Sequence, residues 1–216
     1  MTRTLQRRIY LALKRALDFA VALVAVLALG PAMAVIALLI RLDSPGPALF
    51  IQTRIGRLGR PFRMCKFRTM RHNADNSAHK AFMQAFVKGE LRTDLAGRTV
   101  WKPFRRSEVT HVGSFLRRTS LDELPQLLNV LKGEMSLVGP RPNVPWEVDA
   151  YEDWHRERLA ALPGITGLAQ IHGRSGLDFD TIVKYDIEYV RTQNLKLDLQ
   201  ILWSTFLPVV NGEGAH

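Results

Sequence analysis

The feature that most constrains this chain is an uncharged apolar run, residues 19–40, "FAVALVAVLALGPAMAVIALLI". As a helix, about 22 residues rise roughly 33 Å, enough to match the hydrocarbon core of a bilayer. A helix apolar on every side has no stripe for water, and burying one this long is uncommon in a chain of 216 residues. A secretory signal fits poorly, because the run exceeds an ordinary signal core and leads into Arg41 rather than a cleavage site.

The flanks set how the run sits. Arg3, Arg7, Arg8, Lys14 and Arg15 precede it, and Arg41, Arg54, Arg57, Arg60, Arg63, Lys66, Arg68 and Arg71 follow, with only Asp18 and Asp43 as acids up to that point. Positive charge stays on the cytoplasmic side, so both ends belong there. A segment that enters, breaks and returns to the same leaflet satisfies this. Gly30 and Pro31 sit near the middle of the run, where proline removes a backbone donor and clashes with the preceding turn. The rival is a kinked span with a very short outer tail. The expected class is α+β, mostly α. Residues 1–41 form a basic N-terminus and a re-entrant helix-break-helix, and residues 42–216 form a cytoplasmic-face helical domain with a small β-hairpin.

The formal net charge of +10 points to anionic partners: nucleic acid, lipid headgroups or a phosphorylated substrate. One cysteine, Cys65, excludes an intramolecular disulfide, and the six scattered histidines show no zinc-ligand spacing. "LFIQTRIGRLGRPFRMCKFRTM" alternates apolar and basic residues around Gly56 and Gly59, the pattern of a basic hairpin. Within residues 72–97, Ala81, Phe82, Ala85 and Phe86 mark an amphipathic helix whose apolar face can serve the core, a bilayer surface or a homodimer. "NLKLDLQILWSTFLPVV", with Trp203 and Phe206, offers the choice between core and bilayer.

The chemistry concentrates in "RRTSLDELPQLLNVLKGEMSLVGPRP". Ser120 and Glu123 have capping-box spacing, and Lys132 with Gly133 reads as a helix stop. Pro125 then falls past the tolerated first turn, so the helix bends there or Asp122 is the cap. In either version Asp122 and Glu123 lie at a helix N-terminus, where the dipole favours their ionised forms, and Arg117 and Arg118 act in the same direction. Ionised neighbouring carboxylates can divide the roles of nucleophile and magnesium ligand. Arg141, between two prolines, can aim its guanidinium at phosphate oxygens. Lys66 and Arg68 in "CKFRTMR", and Arg174 in "LPGITGLAQIHGR", add further cations. Cations gathered about an acidic pair beside a membrane segment suit a reaction on phosphates.

In order and wording, "KRALDFAVALVA", "GRPFRMCKFRTM", "FLRRTSLDELPQLLNVLKGEMSLVGPRP", "LPGITGLAQIHGR" and "YDIEYV" resemble the successive signatures of the bacterial sugar transferases, the monotopic polyprenyl-phosphate phosphoglycosyl transferases. The resemblance implies transfer of a sugar-1-phosphate from a UDP-sugar to polyprenyl phosphate, with magnesium and release of UMP, in a bacterial inner membrane with the site on the cytoplasmic face. This would be the first membrane step of exopolysaccharide or glycoconjugate assembly. By the same matching, Asp122 is the nucleophile that takes the sugar phosphate covalently and Glu123 helps hold magnesium. Arg117 and Arg141 contact phosphate or nucleotide, Lys66 supports the site, and Asp186 is a further polar member. The chain looks like the short form of the family, the catalytic unit alone. It departs from the pattern where members often carry Ser-Pro at the membrane break, since Gly30 stands in place of serine.

Three other readings compete. A membrane-anchored nucleic-acid binder needs aromatics interleaved with cations, but only Phe62 and Phe67 fall among the central basic residues, and the acidic pair is then left without a role. A non-catalytic scaffold for glycan-assembly enzymes would not need an intact pair. One-step displacement with Asp122 as general base would.

Overall fold

The computed structural model describes residues 3–71, 77–90, 108–173 and 177–210. Helix α1, Arg3–Asp43, is 41 residues long, and among the described residues it alone is long and apolar enough to cross a membrane. One side of it is bare: Val24, Leu27, Val35, Leu38 and Leu42 are all exposed. The other side packs on the body. Ala22, Ala25 and Val26 lie against Leu127, Val130 and Met135, and beyond Pro31 the residues Met33, Ile36, Ala37 and Ile40 lie against Phe67 and Leu116. An ion pair and a set of hydrogen bonds fasten it. Lys14 Nζ reaches Asp198 Oδ2 at 3.0 Å, and Arg15 donates to the carbonyls of Val130 and Leu131 at 2.6 and 2.9 Å.

The break expected at Gly30 and Pro31 does not divide this helix, which is continuous through both residues. Proline costs one backbone hydrogen bond and crowds one turn, which bends a helix without ending it when both flanks are otherwise well formed. The space around Gly30 is open, with no atom within 4 Å of where a Cβ would stand.

After α1 the expected hairpin is present: β1, Leu49–Ile55, pairs antiparallel with β2, Pro61–Phe67, in the register Leu49 to Phe67 and Ile55 to Pro61. The turn carries Leu58 and Gly59 at φ 58° and 75°. Opposed residues share a face of a hairpin, so Gln52, Arg54, Met64 and Lys66 line one side together. Helix α2, Ser77–Val87, buries Val87 and sets Phe86 edge-on to Phe179 at 5.9 Å, so this part of its apolar face belongs to the core. The rest of residues 72–97 that the periodicity pointed to, 72–76 and 91–97, lies outside the described residues.

Helix α3, His111–Thr119, is capped by the Thr110 side chain and by Asp43, which accepts from Val112 N at 2.8 Å. Helix α4, Gln126–Lys132, ends at Gly133 with φ 81°. Strand β3, Ser136–Val138, then pairs in parallel with β4, Gly164–Thr166, and the short α5, Pro145–Val148, lies between them in sequence. This crossing is tight: a Cβ on Gly164 would stand 2.1 Å from Gly139 N. Three helices complete the body: α6, Leu168–His172, α7, Phe179–Thr192, and α8, Leu195–Val210. In α8, Ile201 is fully buried while Leu199 and Trp203 face outward, so the segment serves the core with one side only.

Candidate active site

The acidic pair is not in an α-helix. Ser120 takes a left-handed conformation, φ 55°, and closes α3. Asp122 and Glu123 then ride on a single tight turn, Leu121–Glu123, ahead of α4. The expected capping box is therefore absent, and Pro125 occupies the N-cap position of α4 with no side-chain cap. The left-handed Ser120 ends α3, and Pro125, with no N–H to give the preceding turn, stands at the start of α4, so the stretch from Ser120 to Lys132 is not one helix. The Glu123 carboxylate has a better partner than a backbone N–H: its Oε1 accepts from Lys66 Nζ at 2.9 Å and from Arg141 Nη1 at 3.5 Å.

These surroundings separate the two carboxylates. Burial alone would raise the Glu123 carboxyl, but Lys66 and Arg141 outweigh it and hold the group below the usual carboxylate range. Burial raises Asp122, and the like charge of Glu123 adds to this against the opposing pull of Lys66, Arg117 and Arg141. The ionised form expected of both residues at a helix N-terminus is thus favoured at Glu123 and disfavoured at Asp122. Among the described residues, no hydrogen bond reaches the Asp122 carboxylate. Lys66 itself is driven down by burial, with Glu123 opposing that and Arg141 reinforcing it.

Arg141 is aimed by its backbone. Pro140 O accepts from Gly164 N at 2.9 Å, Arg141 O from Arg158 Nη2 at 3.1 Å, and Pro142 O from Arg54 Nη1 at 3.1 Å. With three successive carbonyls held and prolines on both sides, only the half-exposed Arg141 side chain keeps freedom, and it leans toward Glu123. Arg117 comes from the last turn of α3, its Nε donating to Thr69 Oγ1 at 3.0 Å. That helix can approach Thr69 only because residue 113 is glycine: a Cβ there would lie 2.1 Å from Thr69 O.

Asp122, Glu123, Lys66, Arg117 and Arg141 are thus brought together. Two other candidates are not. Arg68 is buried beside the end of α1, donating to Pro45 O at 2.7 Å and Ser44 O at 2.6 Å, where it satisfies carbonyls of the turn that follows the helix. Asp186 is 1% exposed, which keeps it from direct contact with a ligand; it pairs with Arg158 behind the proline-flanked turn. Arg174 lies outside the described residues.

Two residues of this neighbourhood carry little sequence signal. Arg54 shares a narrow recess with Lys66, Gln126 and Arg141, and burial, with Arg141 beside it, brings its guanidinium down to about 10. The alternation along β1 and β2 was a usable clue, since it puts Arg54 and Lys66 on one face. Nothing local marks Arg158, which also donates to Asn143 Oδ1 at 2.6 Å and Tyr151 OH at 2.7 Å.

A pinned carboxylate beside an uncommitted one, with cations on three sides and a long apolar helix beneath, defines a site for anionic ligands next to a membrane-type element. The chain belongs to the bacterial sugar transferase family, whose model matches residues 9–212. It is 39% identical over 203 residues to the exopolysaccharide production protein ExoY of Sinorhizobium fredii, covering 94% of this chain and 88% of that protein. Identity is 40% over 208 residues to the undecaprenyl-phosphate galactose phosphotransferase of Salmonella typhimurium, covering 94% of this chain and 42% of that one. To the UDP-N-acetylgalactosamine-undecaprenyl-phosphate N-acetylgalactosaminephosphotransferase of Aeromonas hydrophila it is 38% over 214 residues, or 96% and 46%. The chain therefore spans less than half the length of the last two relatives.

Proposed function

We propose that the protein transfers a sugar-1-phosphate from a UDP-sugar to a polyprenyl phosphate and releases UMP, with Asp122 as covalent nucleophile. The observation that carries this reading is the division between the two carboxylates: Glu123 is held by Lys66 at 2.9 Å, while no described donor occupies the Asp122 lone pairs. In the first step an Asp122 oxygen attacks the sugar-bearing phosphorus, the bond to the bridging oxygen breaks, and UMP leaves with that electron pair. In the second, a polyprenyl phosphate oxygen attacks the same phosphorus and the Asp122 carboxylate is regenerated. Lys66, Arg117 and Arg141 offset the repulsion between an anionic nucleophile and two anionic substrates, and they stabilise charge on the phosphoryl oxygens. Arg54 serves the same field from behind Arg141.

Magnesium fits this donor set in one way. Among the described residues no group of three His, Cys, Asp or Glu could hold a metal. Magnesium sites, however, commonly use one or two carboxylates and complete the shell with water and substrate phosphates. Glu123, with Asp122 beside it, would hold the ion, which would supply charge neutralisation at the diphosphate.

The membrane part of the proposal is a re-entrant α1, dipping into the inner leaflet with the site on the cytoplasmic face. Its support is that Ala22 and Ile40, near the two ends of the apolar run, both pack on the same body. Eighteen residues of helix rise about 27 Å, so a span crossing the bilayer upright would carry one of these contacts to the far side.

The test is UMP release from a panel of UDP-sugars by detergent-solubilised protein with magnesium, before and after a short polyprenyl phosphate is added. The expected outcome is one equivalent of UMP without acceptor and a mass gain of one sugar phosphate, both absent in Asp122→Asn. UMP that appears only with acceptor present would replace the covalent step by one-step displacement with Asp122 as general base. No UMP from any donor would overturn the transferase reading.

A further inference from the structure

A cavity of about 200 Å³ lies between the N-terminal third of α1 and the body, lined by a set of residues separate from the recess beside Glu123. From α1 it takes Arg7, Leu11, Lys14, Arg15 and Asp18, which fall at i, i+4, i+7, i+8 and i+11 and so form one face of the helix. The hairpin turn adds Arg57, and the body adds an apolar wall that includes Val138 and Leu162.

The charge of this lining is one-sided. Four cations line it beside one carboxylate; Asp18 is engaged by Ser136 Oγ at 2.7 Å and by Lys14 at 3.9 Å, Lys14 is paired with Asp198 at 3.0 Å, and Arg15 donates to the carbonyls of Val130 and Leu131, which leaves Arg7 and Arg57 as the cations open to a ligand. Arg7 and Arg57 are exposed, and neither guanidinium makes a hydrogen bond or ion pair with any described residue. The apolar run begins at residue 19, directly after Asp18. Lys14 and Arg15 thus precede it by about 6–8 Å of helix rise, which is the depth of the headgroup layer. A cationic mouth with an apolar wall at that depth suits a phosphate carried on a hydrocarbon chain: a soluble nucleotide has no use for the wall, nor a neutral lipid for the cations.

We propose that this cavity is a lipid-phosphate site distinct from the acidic pair. The phosphate has two sources, an anionic glycerophospholipid of the surrounding leaflet or a polyprenyl phosphate waiting apart from the site of transfer. The proposal rests on the reading of α1 as a membrane helix.

The experiment places the full chain in nanodiscs of phosphatidylcholine alone, of phosphatidylcholine with phosphatidylglycerol, and of the latter with a short polyprenyl phosphate. Retained lipid is read by native mass spectrometry, in the wild type and in the Arg7→Gln/Arg57→Gln double variant. The wild type should hold one phosphatidylglycerol and no phosphatidylcholine, and the double variant should hold it roughly tenfold or more weakly. Its UMP release in detergent should match the wild type, which shows that it is folded and that the acidic pair is untouched. Displacement of phosphatidylglycerol by polyprenyl phosphate assigns the site to the acceptor, and binding of both assigns it to the glycerophospholipid. Equal retention of the two glycerophospholipids, or retention unaffected by the double variant, overturns the proposal. Flotation with vesicles separates the two possible failures: a chain that floats but retains no anionic lipid sinks this inference alone, and one that does not float sinks the membrane reading with it.

Discussion

Asp122 and Glu123 are adjacent, yet folding treats them oppositely, and that difference can be measured. Because burial raises the Asp122 carboxyl, the folded chain holds this proton more tightly than the unfolded chain does. Stability from this group then falls as pH rises from about 3.9 through the raised value, and a constant deficit remains above it. Asp122→Asn removes the deficit: it should lower UMP release by about a thousandfold or more while raising, not lowering, the melting temperature. In the proposed covalent step the Asp122 carboxylate reacts ionised, so the acid limb of the wild-type pH–rate profile should lie above the ordinary aspartate range. Glu123 works the other way. Its carboxyl is held low, so its contribution is full above about 4.3 and is lost as pH falls through the lower folded value. Glu123→Gln leaves Lys66 without its partner and should cost about 1–3 kcal/mol in a denaturant melt, below the fully buried case because both side chains keep some solvent contact. The same change should move the Asp122 acid limb to lower pH.

Among the elements, the proline-flanked turn after β3 depends most on distant parts of the chain. Its central carbonyl is held by Arg158, whose charge is balanced by Asp186 from α7. Arg158→Met would strand a buried carboxylate and should cost about 3–5 kcal/mol. The double variant Arg158→Met/Asp186→Leu should recover most of that stability yet keep a raised donor KM, because Arg141 O still lacks its donor; full recovery of KM would make the pair purely structural. At the other edge, Gly113→Ala forces a Cβ to 2.1 Å from Thr69 O. It should cost about 1–3 kcal/mol and weaken donor binding by displacing Arg117. Short-range signals found these elements unevenly. The hairpin was legible because two-residue alternation and Gly56 with Gly59 are local, whereas the turn under the acidic pair was misread as a capped helix. The spacing of Ser120 and Glu123 matched a capping box, but Lys66, 57 residues away in sequence, takes the Glu123 carboxylate instead.

At the scale of the molecule, α1 binds the body along both halves while leaving its other side bare, so the proposed membrane arrangement involves the whole chain. In a Cys65→Ser background, Gln6→Cys and Lys196→Cys should both react with a membrane-impermeant maleimide only from the cytoplasmic side. Labelling of Gln6→Cys from outside alone would establish a span instead. Cys65 is buried, so its removal leaves the labelling to the introduced thiols.

The residues by themselves determined the long apolar helix, the basic flanks, the hairpin and the gathering of Asp122 and Glu123 with Lys66, Arg117 and Arg141. Periodicity, charge and motif wording are written along the chain and survive without coordinates. Only the tertiary structure decided that α1 runs unbroken through Pro31, that Arg68 holds the turn after that helix instead of facing the acidic pair, and that Asp186 stands behind Arg141 through Arg158. It alone also separated the protonation of Asp122 from that of Glu123. Burial and the positions of charges distant in sequence set these outcomes, and both exist only after the chain has closed on itself.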